Sequence, residues 1–174
     1  IADRAIANEE AVPMIIVMPD AWDTWYINQY DGKAPYEDMF FEELIPYMEK
    51  TYRIRSDKES RAIAGLSMGG YGSFLYSLHH PDMFCACAPL SAAVFDDTVM
   101  EARKARSHKD LFNRLFGPGD EHWKQNNVLK ILSDWDQNNL PKIRYYIDCG
   151  DDDGLLDGNM QVHQVMKQKG IRHE

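Results

Sequence analysis

Basic residues are scarce in this chain. Its 174 residues carry 19 Lys and Arg against 28 Asp and Glu, a net charge of −9. Nucleic-acid phosphates are bound by clustered Lys and Arg, so this balance argues against such a partner. Cysteine is scarce too, with Cys85, Cys87 and Cys149 alone. An odd count without framework spacing argues against a disulfide scaffold. Cys85 and Cys87 stand two apart in an apolar run, so on a strand they point the same way, as small core residues. No apolar run approaches the roughly 20 residues that span a bilayer, so no membrane partner is expected. Residues 1–8 (Ile-Ala-Asp-Arg-Ala-Ile-Ala-Asn) form neither a basic leader nor a start at Met. They read as the middle of a helix, with the natural N-terminus expected upstream.

What is present reads as a single globular domain over 1–174. The hydrophobic share of 44% is enough for a real core. Met14 to Met18 (Met-Ile-Ile-Val-Met) is a short continuous apolar run ended by Pro19-Asp20, the pattern of a strand buried on both faces. A loop with Trp22, Trp25, Tyr26 and Tyr30 follows. Residues 36–52 are helical by period, with Phe40, Leu44 and Met48 four apart. Pro46 inside that pattern predicts a kink, because it lacks an N–H and clashes with the carbonyl four residues back. Further strands are predicted at Arg61–Leu66, Phe84–Leu90 and Ile143–Cys149, and another begins at Ile171. Helices are predicted at Met68–His79 and 158–169. Strands alternating with helices imply a mostly parallel sheet flanked by helices on both faces. Residues 96–141 interrupt the alternation as a charged and aromatic helical excursion, read as a cap or a decoration.

The chemistry concentrates at Gly65-Leu66-Ser67-Met68-Gly69. A strand enters this Gly-x-Ser-x-Gly run and a helix leaves it, which is the context that gives the motif meaning. Such a turn holds Ser67 in a strained conformation with its hydroxyl at the helix N-terminus, so Ser67 is the candidate nucleophile. The Met68 N–H is placed to donate to an oxyanion. One such donor contributes about 3 kcal/mol of transition-state stabilisation. Gly65, Gly69 and Gly70 keep side chains out of the turn.

The run Arg-Ala-Ile-Ala-Gly-Leu-Ser-Met-Gly-Gly-Tyr-Gly-Ser (61–73) resembles the esterase D-like "putative esterase" family of α/β-hydrolases. That family includes carbohydrate esterase family 1 feruloyl and acetylxylan esterases, S-formylglutathione hydrolases and tributyrin esterases. Residues 14–20, 80–84, 90–93 and 111–117 are similar to other family landmarks, so the resemblance covers nearly the whole chain. Trp25-Tyr26-Ile27-Asn28 resembles the feruloyl-esterase side of the family.

A serine hydrolase needs a histidine as base and a carboxylate to orient it, in the chain order Ser, acid, His on this scaffold. Asp148, Asp151, Asp152 and Asp153 crowd the end of the strand at 143–149. Asp148 still belongs to the strand. The family pattern, Gly, two variable residues, Asp, then Asn six positions on, matches Gly150, Asp153 and Asn159. The resemblance therefore implies Asp153 as the acid, with Asp152 second. A calcium loop fails on spacing, because Cys149 would occupy its first ligand position. After Asp153 only His163 and His173 remain. The first lies in a predicted helix and the second near the start of a strand, away from the carboxyl edge where such sites form. His79, His80, His108 and His122 precede the acid and show no metal-ligand spacing. The resemblance places the family's histidine just after the last strand, beyond Glu174. It places the second oxyanion donor in a His-Gly loop before Ile1. The chain thus reads as an internal fragment of a longer esterase.

The resemblance implies hydrolysis of a carboxylic ester through an acyl-serine, without cofactor or metal. The expected substrates are feruloyl or acetyl esters of plant polysaccharides, with Trp25 and Tyr26 as aromatic walls of the acyl pocket or as loop packing. S-formylglutathione or short-chain acyl esters are the alternative substrates. An acyltransferase on the same scaffold and a non-catalytic binding module derived from an esterase are the alternative functions. Fibre esterases of the family are commonly secreted, and its formylglutathione hydrolases are cytosolic.

Overall fold

The structure, a computed structural model, describes residues 1–105, 109–139 and 142–174. Its centre is a parallel sheet of β1 (Ala62–Leu66), β2 (Ala86–Leu90) and β3 (Arg144–Tyr145) in the order β1-β2-β3. Ala62 pairs with Ala86 and Leu66 with Leu90, while Cys87 pairs with Tyr145. A further parallel bridge joins Leu90 to Asp148, and another joins Tyr145 to His173. The strand read over 143–149 is thus laddered at two points rather than throughout. The strand expected from Ile171 starts at the far edge, where Glu174 N–H donates to the Tyr145 carbonyl at 3.0 Å.

The helices are α1 (Ala2–Ala7), α2 (Tyr36–Asp38), α3 (Ile45–Thr51), α4 (Met68–His79), α5 (Asp97–Ala105), α6 (Lys109–Phe116), α7 (Glu121–Asn126), α8 (Val128–Asp134) and α9 (Leu156–Lys169). α4 packs on β1 and β2, α8 packs on α4, and α9 packs on α8. Phe74, Leu75, Cys87, Tyr145, Val162 and Met166 share one buried cluster with Phe112, Leu115, Phe116 and Leu132 of the excursion. The excursion at 96–141 therefore contributes to the core. Helices were expected on both faces of the sheet, but Leu66 and Tyr146 on the opposite face are exposed, as are Ala62 and Ala64. Cys87 is buried and its Sγ donates to the Ser73 carbonyl, while Cys85 is half-buried at the mouth of β2.

Two elements differ from expectation. Met14–Met18 is not a strand. It pairs with no strand among the described residues, and Met14, Ile15, Ile16, Val17 and Met18 are all exposed. An apolar run is suited to a buried strand, but only ladder partners on its N–H and C=O groups make it one. The helix at 36–52 is not α-helical throughout. It widens into a π-helix over Met39–Leu44 between α2 and α3. The i→i−4 bond that Pro46 cannot make falls at this junction, and a wider turn relieves the ring's clash with the Glu42 carbonyl.

This arm is fastened to α4 by rings and charge. Phe41 stacks on His80 with centroids 3.6 Å apart, and Phe40 lies 4.8 Å from Tyr76. Glu37 Oε1 accepts from His79 Nδ1 at 2.8 Å and from His80 Nε2 at 2.9 Å. An Arg61–Glu49 ion pair closes the arm's far end.

Candidate active site

Ser67 sits between β1 and α4 with φ 58° and ψ −115°, outside the conformations ordinary residues favour. The turn is tight enough that a Cβ on Gly65 would stand 2.1 Å from the Gly69 carbonyl oxygen, so only glycine fits there. Ser67 occupies the N-cap position of α4, yet its side chain makes no capping hydrogen bond, and the residue is exposed. A serine at this position ordinarily caps the helix; here the left-handed backbone turns the hydroxyl away. The Met68 N–H is among the first of α4, which have no intrahelical acceptor. The backbone of Ser67 is fixed from the next strand: its N–H donates to the Leu90 carbonyl at 2.9 Å, and its carbonyl accepts from Ala93 N–H at 3.0 Å.

Because the strands are parallel, the segments that follow them share one edge. Ser91 follows β2, also at positive φ (38°), and its N–H donates to the Asp148 carbonyl at 2.6 Å. Of the four acidic candidates only Asp153 is half-buried; Asp148, Asp151 and Asp152 are exposed. Asp153 Oδ1 accepts from Leu155 N–H at 2.9 Å at the entry to α9. Cys149 lies among these groups. Desolvation pushes its thiol up, and the Asp153 and Asp148 charges push it further, against a hydrogen bond with Ser91. It therefore stays a neutral thiol, which is a poor nucleophile.

Trp25 and Tyr26 come from a loop whose aromatics stand in the left-handed region, with φ 45° at Trp22, 56° at Trp25 and 61° at Tyr26. Thr24 braces the loop: its hydroxyl donates to the Ala21 carbonyl at 2.8 Å and accepts from Tyr26 N–H at 3.3 Å. Tyr76 Oη donates to the Tyr26 carbonyl at 2.6 Å. The two rings have different settings. Trp25 is partly buried with centroids 5.6 Å from Tyr71, 5.9 Å from Phe95 and 5.6 Å from Phe112, so it joins the excursion to α4. Tyr26 lies along the first turn of α4. A Cβ on Gly72 would meet its ring at 2.5 Å, and one on Gly69 would meet its hydroxyl at 3.4 Å. Burial, then the charge of Asp20, raises the Tyr26 phenol, which keeps it a proton donor.

The five described histidines are engaged elsewhere. His79 and His80 hold Glu37, His122 Nε2 is 2.8 Å from the Asn28 carbonyl, and His163 Nδ1 is 2.8 Å from His173 Nε2. His108 lies outside the described residues. His173 stands level with Tyr145, Cys87 and Ile63, at the lower end of the strands. Among the described residues no group of three His, Cys, Asp or Glu side chains is placed to hold a metal ion, and no helix is long and apolar enough to cross a membrane. The residues that brace the edge, Ser91, Ala92 and Ala93, act through their backbones, and the sequence marks them only as part of the family landmark at 90–93. Asn159 was visible only as a family landmark.

Comparison with known proteins places this geometry. The chain is 26% identical over 165 residues to an acetyl esterase of Caldicellulosiruptor saccharolyticus, covering 90% of this chain and 60% of that protein. Over 108 residues it is 35% identical to an endo-1,4-beta-xylanase/feruloyl esterase of Xylanibacter ruminicola, covering 60% of this chain and 15% of that protein. A solved ferulic acid esterase superposes with a TM-score of 0.78 at 35% identity, covering 99% of this chain and 65% of that one. The chain thus spans less than two thirds of the length of these relatives. Its parallel sheet with flanking helices is the α/β-hydrolase fold of those esterases. The family model described as "Putative esterase" matches residues 1–172, and the chain belongs to that family.

Proposed function

We propose that this chain carries the nucleophile and acid of a serine carboxylic-ester hydrolase. The observation that supports this best is Ser67 itself: a strained serine at a helix N-cap whose hydroxyl does not cap the helix. Its Oγ attacks the ester carbonyl, forming a C–O bond as its proton passes to a general base. The Met68 N–H donates to the oxyanion. The alcohol departs with that proton, and water then cleaves the acyl-serine by the reverse proton path. Asp153 orients the base. The five described histidines are engaged elsewhere, so this reading takes the base from none of them.

The substrates we assign are feruloyl or acetyl esters of plant polysaccharides. The names of the acetyl and feruloyl esterase relatives support this class. Tyr26, lying close against α4 beside Gly69 and Gly72, suits an acyl wall. The test is the full-length protein on methyl ferulate, acetylated xylan, tributyrin and S-formylglutathione. Hydrolysis of the first two, lost by several orders of magnitude in Ser67→Ala, is the expected result. Activity that survives Ser67→Ala overturns the reading, and preference for S-formylglutathione overturns the substrate class.

A further inference from the structure

Three segments meet at the carboxyl edge of the sheet without sharing an element: the Ser67 turn, the loop after β2 and the loop before α9. One side chain touches two of them and reaches the third through the backbone. Asn159, in the first turn of α9, is only 4% exposed. Its Oδ1 accepts from Ala92 N–H at 3.2 Å, and its Nδ2 donates to the Ala92 carbonyl at 2.9 Å. The same Nδ2 donates to the Leu155 carbonyl at 2.8 Å.

Each contact leads to a candidate reacting group. Next to Ala92, the Ala93 N–H holds the Ser67 carbonyl at 3.0 Å. On the other side, Leu155 N–H holds Asp153 Oδ1 at 2.9 Å. Helix and loop are in backbone contact here, since a Cβ on Gly158 would stand 2.1 Å from the Val94 carbonyl oxygen. That contact lets so short a side chain as Asn reach both groups of Ala92. The chemistry selects an amide: it must accept from one N–H and donate to two carbonyls. A carboxylate offers only acceptors, and an apolar residue would leave the buried Ala92 N–H without its acceptor, while the Ala92 and Leu155 carbonyls would keep only the backbone N–H groups of Val94 and of position 159.

We propose that Asn159 is the positioning residue that sets Ser67 against Asp153 by tying the loop behind each. The role rests on the reading of Ser67 as nucleophile. It acts through other residues, so its loss changes the rate of acyl transfer and leaves substrate binding alone.

The test is full-length wild type, Ser67→Ala, Asn159→Ala and the isosteric Asn159→Asp, compared on methyl ferulate. Active sites are counted by covalent labelling with a fluorophosphonate, so that unfolded protein is not scored. Per labelled site, kcat of both Asn159 variants is expected to fall about a hundredfold, with KM little changed. Relative to wild type, Asn159→Asp is expected to recover as pH falls, because a protonated carboxyl regains a donor. Should Asn159→Ala fail to fold, Asn159→Asp alone carries the comparison. Unchanged kcat per labelled site, or a loss confined to KM, overturns the role of Asn159 alone. An inactive wild type, or an active Ser67→Ala, overturns the functional reading and this role with it.

Discussion

Replacing Glu37 by Gln removes the charge that fastens the 36–52 arm to the end of α4. His79 fixes the protonation of the pair by geometry. Its Nδ1 faces the Glu37 carboxylate at 2.8 Å and its Nε2 faces the Gln125 carbonyl at 2.9 Å. Both partners only accept, so both ring nitrogens carry hydrogen and His79 is an imidazolium. Burial alone would raise the Glu37 carboxyl, but the hydrogen bonds and charges of His79 and His80 outweigh it and hold it down at about 2. Burial would likewise lower His79, and Glu37 raises it above the ordinary 6.5. Against the ordinary 4.5, the Glu37 shift is worth about 3 kcal/mol at roughly 1.4 kcal/mol per pH unit. The side chains are 13% and 23% exposed, so solvent screening takes little from this figure. The His79 shift is the same interaction seen from its partner and does not add. A depressed carboxyl stabilises above its unfolded pKa of 4.5, and that stability is lost as pH falls toward 2. A raised imidazole stabilises below its unfolded 6.5, and that stability is lost as pH rises through its folded value. The gap in unfolding free energy between wild type and Glu37→Gln is therefore greatest between 4.5 and 6.5. There it should reach about 3 kcal/mol, or about 6–12 °C in Tm for a domain of this size. The assay is urea denaturation of both proteins from about pH 3 to about pH 9. A gap independent of pH, or one that widens on the alkaline side, refutes the reasoning.

Two further perturbations test the packing beneath the site. Tyr71 is 2% exposed and its hydroxyl donates to the Asn126 carbonyl at 2.8 Å, so Tyr71→Phe leaves that carbonyl unpaired and should cost about 1–3 kcal/mol by urea denaturation. Trp25→Ala removes a ring held among Tyr71, Phe95 and Phe112 and should cost about 3–5 kcal/mol, with Trp25→Phe recovering part of it. A neutral Trp25→Ala would show that the ring lies on the surface.

The elements that were legible in the sequence are those whose signal and cause lie close together. β1, the Ser67 turn and α4 form one local unit, in which an apolar run, a glycine-bounded serine and a helical period follow one another. Met14–Met18 carries an equally strong apolar signal and is no strand, since composition states suitability and not the presence of a partner. Pro46 marks its helix for distortion, and the wider turn before it falls where Phe40 and Phe41 pack on Tyr76 and His80, contacts that the local sequence does not reveal. The carboxylate at Glu37 was invisible for the same reason. It meets His79 across 42 positions, and the sequence places His79 only at a helix end. Asp153 stood out through the resemblance alone, whereas Asn159 meets Ala92 across 67 positions through the backbone, a contact that no residue pattern encodes.

The left-handed serines explain why such long-range ties are needed. Ser67 and Ser91 end neighbouring strands at φ 58° and 38°, and conformations of this kind cost on the order of 1–3 kcal/mol each. They persist only where the surroundings leave no alternative. Ser67 is held from both sides of its peptide by Leu90 and Ala93, and Ser91 is held by Asp148. Each of those bonds runs from one strand end to the next, so the strain at Ser67 is resisted by the segment that carries Ser91, and the strain at Ser91 by the segment that carries Asp148. Asn159 closes the set by binding Ala92, the residue between Ser91 and Ala93. Releasing that amide frees the loop that restrains both serines. Its loss is therefore expected to fall on the geometry of the Ser67 hydroxyl more heavily than on the core, which takes in Ala92, Ala93 and Val94 themselves and keeps its apolar contacts.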